Sequence, residues 1–369
     1  MALLEYATLT VPDVVKKSVV SFYNRDPLLK ALQSRMQVKR SGGTQVRVVR
    51  VKSGHSDVTE INETNLSVPL AKRETLSSMT GDWAKYIKPV ILPHIDRDRM
   101  SSKEEVKRFV QDESNAAMQA LRNDVSRQIY LGNMTTLAGL GSLNGARTSG
   151  TASGFTNGAL AFETPENQGG ADGSSPFSYL NETRIQDTTN FVDNWFNQFA
   201  IGTPGASFLD AAQKLKITAD SYAEDEEGIA LAVCGIADHV DIGDETRGTL
   251  GAGGTAGLTY SVSDITSGKA LPTVHMAGGV QYHANRWMTA TTMASSDATA
   301  IANGVYMLNP NTIEYWVNAN NDFRVTKFSD HLETSNVDAD VGYIILEVQL
   351  AVTNLMANGC INSAAVPTV

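Results

Sequence analysis

The sequence predicts an α+β chain, with helices gathered in the first third and strands in the last. Three observations carry that prediction. Residues 101–132 hold one long helical stripe. From residue 229 onward the apolar runs are short and strand-like, ending in VGYIILEVQLAVTNLMANGC at 341–360. Helix and strand do not alternate along the chain, which argues against a doubly wound sheet. No internal repeat or heptad array is present.

In order along the chain, residues 10–36 read as two short amphipathic helices. Pro12 is suited to open the first, with Val15, Val19 and Phe22 at helical spacing. Leu28, Leu29 and Leu32 follow Pro27 in the second. Ser41-Gly42-Gly43 breaks the pattern. TQVRVVRV at 44–51 alternates valine with Arg47 and Arg50, as a strand with a basic exposed face does. A second strand-like run, WAKYIKPVIL, occupies 83–92. The polar stretch between them is long for a loop in a compact domain, and it reads as the tip of a projecting hairpin. Such a hairpin buries little within its own chain and needs a neighbouring subunit for support.

The helix over 101–132 opens on a capping box, Ser102 with Glu105. Val106, Phe109, Val110, Ala117, Leu121 and Val125 form its apolar stripe, and Gly132 stands at the C-cap position. Residues 133–180 are rich in Gly, Ser, Thr and Asn and read as extended loops. Helices are predicted near 181–199, from Ile185, Val192, Trp195, Phe196 and Phe199, and over 207–216. Strands then follow in IALAVCGI, PTVHMAGGVQYH, GVYMLNP, NTIEYWVN and FRVTKF.

The closing run decides between a membrane span and a sheet. Leu346, Val348, Leu350 and Val352 alternate with Glu347, Gln349, Ala351 and Thr353, a period of two. A membrane helix needs about twenty largely apolar residues, and Glu347, Gln349 and Asn354 interrupt this one. The run is read as a strand beneath the 101–132 helix, with Asn358-Gly359 turning the chain away.

The chain has 369 residues and a net charge of −10. Residues 1–130 hold 21 Lys+Arg against 15 Asp+Glu, a net +6; the remainder holds 9 against 25, a net −16. Blocks of opposite sign point to surfaces that face different partners. Cys234 and Cys360 are far apart and in no CxxC pair, so they read as buried thiols in a reducing, intracellular setting. The amino terminus lacks the charge order of a signal peptide.

No catalytic constellation stands out: H-E-x-x-H, G-x-S-x-G, a Walker loop and a kinase set are all missing. Catalytic, cofactor-binding and metal-ligating residues are therefore assigned as none. DHVDIGDE, with Asp238, His239, Asp241, Asp244 and Glu245, has the donors for a hard cation but not EF-hand spacing, and reads as a solvated acidic loop. His275 and His283 share a strand-like stretch that Gly278-Gly279 bends. GLGSLNG at 139–145 has the wrong spacing and follows a helix, so it is not a nucleotide loop. No nucleic-acid recognition module is present, although the basic amino-terminal third suits contact with phosphate without base readout.

The order of parts resembles the major capsid proteins of tailed bacteriophages, which share the Hong Kong 97 capsid fold. The terminal VQLAVTNLMANG is similar to the closing strand of several of them. The resemblance implies an N-terminal arm at 1–40, an extended loop (E-loop) at 41–95, and a peripheral (P) domain at 96–200 with its spine helix at 101–132. It further implies an axial (A) domain at 201–313, and a return to the P domain with a C-terminal strand at 314–369. The implied role is a non-enzymatic shell subunit. It would assemble with itself into hexamers and pentamers of an icosahedral head, in the host cytoplasm, enclosing double-stranded DNA with non-specific contacts. A scaffolding protein and a portal are the implied partners, a decoration protein a further candidate, and no membrane is involved. Some members cross-link E-loop lysines to the P domain; Lys72 and Lys85 lie in the corresponding region, and neither is assigned that role. The alternatives are an encapsulin-type compartment shell, a metal-dependent enzyme with a site near Asp238–Glu245, and another virion component.

Overall fold

The structure, a computed structural model, describes residues 3–51, 76–100, 102–131, 137–140, 161–163, 178–179, 182–183, 186–187, 192–193, 197–201, 208–223, 228–236, 239, 242, 274–277, 279–285, 304–330 and 338–363. The first part contains α1 (Leu3–Arg25), α2 (Pro27–Ser34), β1 (Val38–Ser41), β2 (Gln45–Val51), β3 (Leu76–Asp82), β4 (Ala84–Pro93), α3 (His94–Arg99) and α4 (Lys103–Leu131). The middle adds β5 (Ala161–Glu163), β6 (Ser178–Tyr179), β7 (Glu182–Thr183), β8 (Gln186–Asp187), β9 (Val192–Asp193), β10 (Asn197–Ile201) and α5 (Phe208–Asp220). The last part holds β11 (Leu231–Cys234), β12 (Val274–Ala277), β13 (Val280–Ala284), β14 (Gly304–Leu308), β15 (Ile313–Asn318), β16 (Arg324–Val325), β17 (Ser329–Asp330), β18 (Ala339–Val352) and β19 (Gly359–Ser363).

The chain divides into two units. The first comprises Met1–Val46, Asp82–Gly139 and Tyr315–Leu350. Its frame is a six-stranded sheet with β18 at the centre, paired with β4 on one side and with β15, β16 and β17 on the other. β1 runs parallel to β15, Val38 opposite Tyr315. One face of the sheet presents Ala84, Val90 and Leu92 beside Ile344, Leu346 and Val348, all buried. Burial follows the period of two from Gly342 to Val348, but from Gln349 to Val352 every residue is buried and the alternation ends. Helix α4 lies against β4, and α1 lies against α4. Of the predicted stripe, Val106, Val110, Ala117, Leu121 and Val125 are buried and Phe109 is half-buried; the buried line continues to Ile129. Glu105 N–H donates to Ser102 Oγ at 3.2 Å, closing one half of the capping box. Gly132 lies outside the described residues.

Pro12 falls inside α1 rather than at its start. The two helices at the amino terminus are separated by Asp26, which caps α2 by accepting from Leu28 N–H at 3.0 Å and Leu29 N–H at 3.3 Å.

Gln349, read from the sequence as a polar interruption of the closing strand, is buried. Its Nε2 donates to the Asp82 carbonyl at 2.7 Å, and its Oε1 accepts from Ala138 N–H at 2.8 Å. The side chain ties two loops to β18, and both its polar ends are satisfied.

The second unit comprises Arg47–Gly81, Leu140–Glu314 and Ala351–Val369. Its main sheet has seven strands in the order β12-β13-β11-β14-β19-β10-β5. Ala212, Leu215 and Ala219 of α5 pack with Ala232, Cys234, Tyr282, Val305, Met307 and Ile361 to form its core. Among the described residues of 181–199 none is helical, against the predicted helix: they form the short strands β7, β8, β9 and the start of β10. Phe199 of β10 pairs with Ile361 of β19. Phe199 took the sheet position that a distant strand offered it, while Ile185, Trp195 and Phe196 lie outside the described residues.

After β18 the chain turns at 356–357, just before the expected Asn358-Gly359. It enters the second sheet as β19. Asn358 is fully buried at the entry, accepting from Asn309 N–H at 2.8 Å and donating to the Asn354 carbonyl at 2.7 Å.

Candidate functional site

The acidic sequence DHVDIGDE is described at His239 and Ile242 only; Asp238, Asp241, Asp244 and Glu245 lie outside the described residues. His239 is buried, its N–H donates to the Gly235 carbonyl at 2.9 Å, and burial pushes its imidazole below its ordinary range, towards the neutral form. His275 and His283 are on the two strands of a hairpin that turns through Gly279 at φ 80°. Its register sets His275 opposite Tyr282 and Val274 opposite His283, so the two histidines are not cross-strand partners. Of GLGSLNG, only Gly139 and Leu140 are described. Cys234 and Cys360 are both buried free thiols. Among the described residues no helix is long and apolar enough to cross a membrane.

Lys85 is placed on β4, its Nζ 3.7 Å from Glu347 Oε1. Asn318 Nδ2 donates to the other oxygen of that carboxylate at 2.7 Å. Lys72 lies outside the described residues.

What the structure leaves open is surface. The other face of the six-stranded sheet carries Ile87, Pro89 and Ile91 on β4, with Ile87 50% and Ile91 40% exposed. The register puts Ile345 beside Ile87, Tyr343 beside Pro89 and Val341 beside Ile91. On β18 Val341 is buried and Tyr343 and Ile345 are half-buried, so the exposed apolar strip is that of β4 itself, and apolar surface of this kind marks protein contacts. Pro89 and the two lysines Lys85 and Lys88 sit on β4, devices that discourage a stray strand from pairing with it.

The segment read as a hairpin has a matching character. β2 and β3 pair only with each other among the described residues. Val46, Val48 and Met79 are buried, while Arg47 is exposed and Val49 is 63% exposed. A two-stranded sheet with an apolar and basic outer face is marginal alone. Its tip, residues 52–75, lies outside the described residues.

A third surface lies where β4 enters α3. His94 N–H donates to the Asp338 carbonyl at 3.1 Å. Its Nδ1 is 2.5 Å from Asp338 Oδ1, and its Nε2 is 3.4 Å from Asp340 and 3.9 Å from Asp330. Three carboxylates thus gather round one imidazole at the amino end of β18. Sequence reasoning missed this group because its members come from three separate strand ends.

No protein-family model matches the chain, and no curated protein matches it. Solved structures do. The capsid of an empty GTA particle superposes with a TM-score of 0.53 and 14% identity, covering 91% of this chain and 90% of that one. The capsid asymmetric unit of cyanophage A-1(L) gives 0.51 and 13%, covering 91% and 92%. The chain has a capsid-protein fold. It is the α+β fold of Hong Kong 97 type that the order of parts in the sequence predicts.

Proposed function

We propose that this chain is the repeated shell subunit of a tailed-phage head, assembling with itself into hexamers and pentamers around double-stranded DNA. The likeness to capsid chains over 91% of the sequence carries the reading. The physics of the surface supports it: an exposed apolar strip on β4 and a lone hairpin are features of a subunit whose partners are copies of itself.

Residues 1–40 are then the arm, folded as α1, α2 and the start of β1. Residues 41–95 are the E-loop, 96–200 the P domain with its spine helix, 201–313 the A domain and 314–369 the return. The E-loop hairpin lies across a neighbouring subunit and gains there the burial it lacks. The subunit acts without catalysis, and its chemistry is that of contacts. A scaffolding protein, a portal, a decoration protein and loosely held DNA are the partners to test, in an assembly formed in the host cytoplasm.

Sedimentation velocity of the purified chain, alone and with a co-expressed scaffolding candidate, tests the reading. Rings or shells of many subunits are the expected species. A chain that stays monomeric under all these conditions contradicts it. A shell that packs a protein cargo and no DNA would instead mark an encapsulin-type compartment.

A further inference from the structure

The turn after α2 holds a residue that its backbone disfavours. Gln37 N–H donates to the Leu32 carbonyl at 2.8 Å, and Met36 N–H donates to the Gln33 carbonyl at 3.2 Å. This pair of bonds ends a helix with a left-handed residue just past the cap, a place usually taken by glycine. Here it is Met36, at φ 58°. Phe323 is the other non-glycine residue at positive φ among the described residues, and burial 5.1 Å from the Phe22 ring accounts for it. Nothing comparable holds Met36, whose side chain is 84% exposed. A costly backbone under an exposed apolar side chain points to a contact outside the subunit.

The base of Met36 is rigid, because Tyr315 N–H donates to the Gln37 carbonyl at 3.0 Å and β1 starts at Val38. A flexible thioether on a fixed base adapts well to an irregular apolar recess. Lys30, Arg35 and Lys39 lie near it in the chain and supply a basic rim, while Arg40 is held within the subunit by Asp322 at 2.8 Å.

A complementary patch exists at the other end of the same sheet. Segment 321–325 runs antiparallel to β18, since Glu347 N–H donates to the Asn321 carbonyl and Arg324 pairs with Ile345. Met36, at the head of β1, therefore lies towards the carboxyl end of β18. Ile95 follows His94 at the amino end, on the order of 35 Å away along the strand. Ile95 is 59% exposed, Ile91 is nearby on β4, and the carboxylates of Asp330 and Asp338 are more than half exposed. One end is apolar with a basic rim, the other apolar with an acidic rim.

We infer that Met36 of one copy of this chain seats against Ile91 and Ile95 of a second copy, its basic rim facing Asp330 and Asp338. The inference rests on the shell-subunit reading. Because the two patches differ and lie at opposite ends, the contact is head-to-tail and closes into a ring when the rotation permits.

Cross-linking tests it. The full chain carrying both Met36→Cys and Ile95→Cys is oxidised and run on a non-reducing gel; the native thiols are buried. A ladder of trimers and larger species is expected, whereas each single variant stops at dimers. A double variant that also stops at dimers, while electron microscopy shows assembled rings, overturns the contact and leaves the shell reading standing. A wild-type chain that forms no assemblies removes both. Met36→Gly relieves the backbone and deletes the side chain. It should hold or raise the thermal midpoint of the subunit while raising the concentration needed for assembly at least tenfold; unchanged assembly overturns the inference.

Discussion

Tyr130 on α4 donates a hydrogen bond to Asp26, the N-cap of α2, at 2.8 Å. Ser126 donates to the other carboxylate oxygen at 2.5 Å, so α4 holds the start of α2. Asp26 is buried, and that burial pushes its carboxyl above the ordinary range despite four donors around it. With the folded-state value raised, the folded chain binds more protons than the unfolded one. The Asp26 contribution to stability is greatest below its unfolded value and declines as pH rises through the folded one. Asp26→Asn keeps acceptors for the backbone and Tyr130 and can donate to Ser126, so it should fold and flatten this slope. Asp26→Ala orphans those donors and should cost about 2–4 kcal/mol. Chemical denaturation from pH 4 to 8 distinguishes these outcomes.

Gly228 stands at φ 54°, and a Cβ there would meet Asp220 Oδ1 at 2.1 Å. Asp220 cannot easily withdraw, because it accepts from Ile229 N–H at 2.8 Å and from Lys216 Nζ at 2.6 Å. Gly228→Ala should lower stability by about 1–3 kcal/mol and appear as a lower thermal midpoint. An unchanged midpoint would show that the turn adjusts.

Leu350 is fully buried on β18. Leu350→Asp buries an unpaired carboxylate and should abolish folding of the subunit, seen as loss of soluble protein and of its circular dichroism. Gln349→Leu is milder: it leaves the Asp82 carbonyl and Ala138 N–H without their partner and should cost about 2–4 kcal/mol in denaturant.

Parts of this molecule with a short period were legible in the sequence. The stripe of α4, its Ser102 cap and the alternation of β18 as far as Val348 are local patterns; beyond Val348 the strand is buried on both faces, which no local pattern showed. Features that depend on distant residues were not. Asp26 meets Ser126 and Tyr130 across about a hundred positions. Phe199 found Ile361 in β19, which turned a predicted helix into a strand. Met36 gave no signal, because a left-handed turn after a helix ordinarily announces itself by glycine. His94 was unremarked because nothing near it in sequence suggests three aspartates.

Reversing charge on the hairpin tests its role between subunits. Arg47→Glu with Arg50→Glu should leave the subunit folded and sharply reduce shell yield, with a salt dependence different from wild type. Equal yield would remove the hairpin from the interface.

The central claim is that the chain builds a closed shell from copies of itself. Negative-stain electron microscopy of the expressed protein, alone and with a scaffolding candidate, tests it most directly. Closed shells, or rings of five and six subunits, are the predicted images. Fields of dispersed monomers, with neither form in any condition, would contradict it.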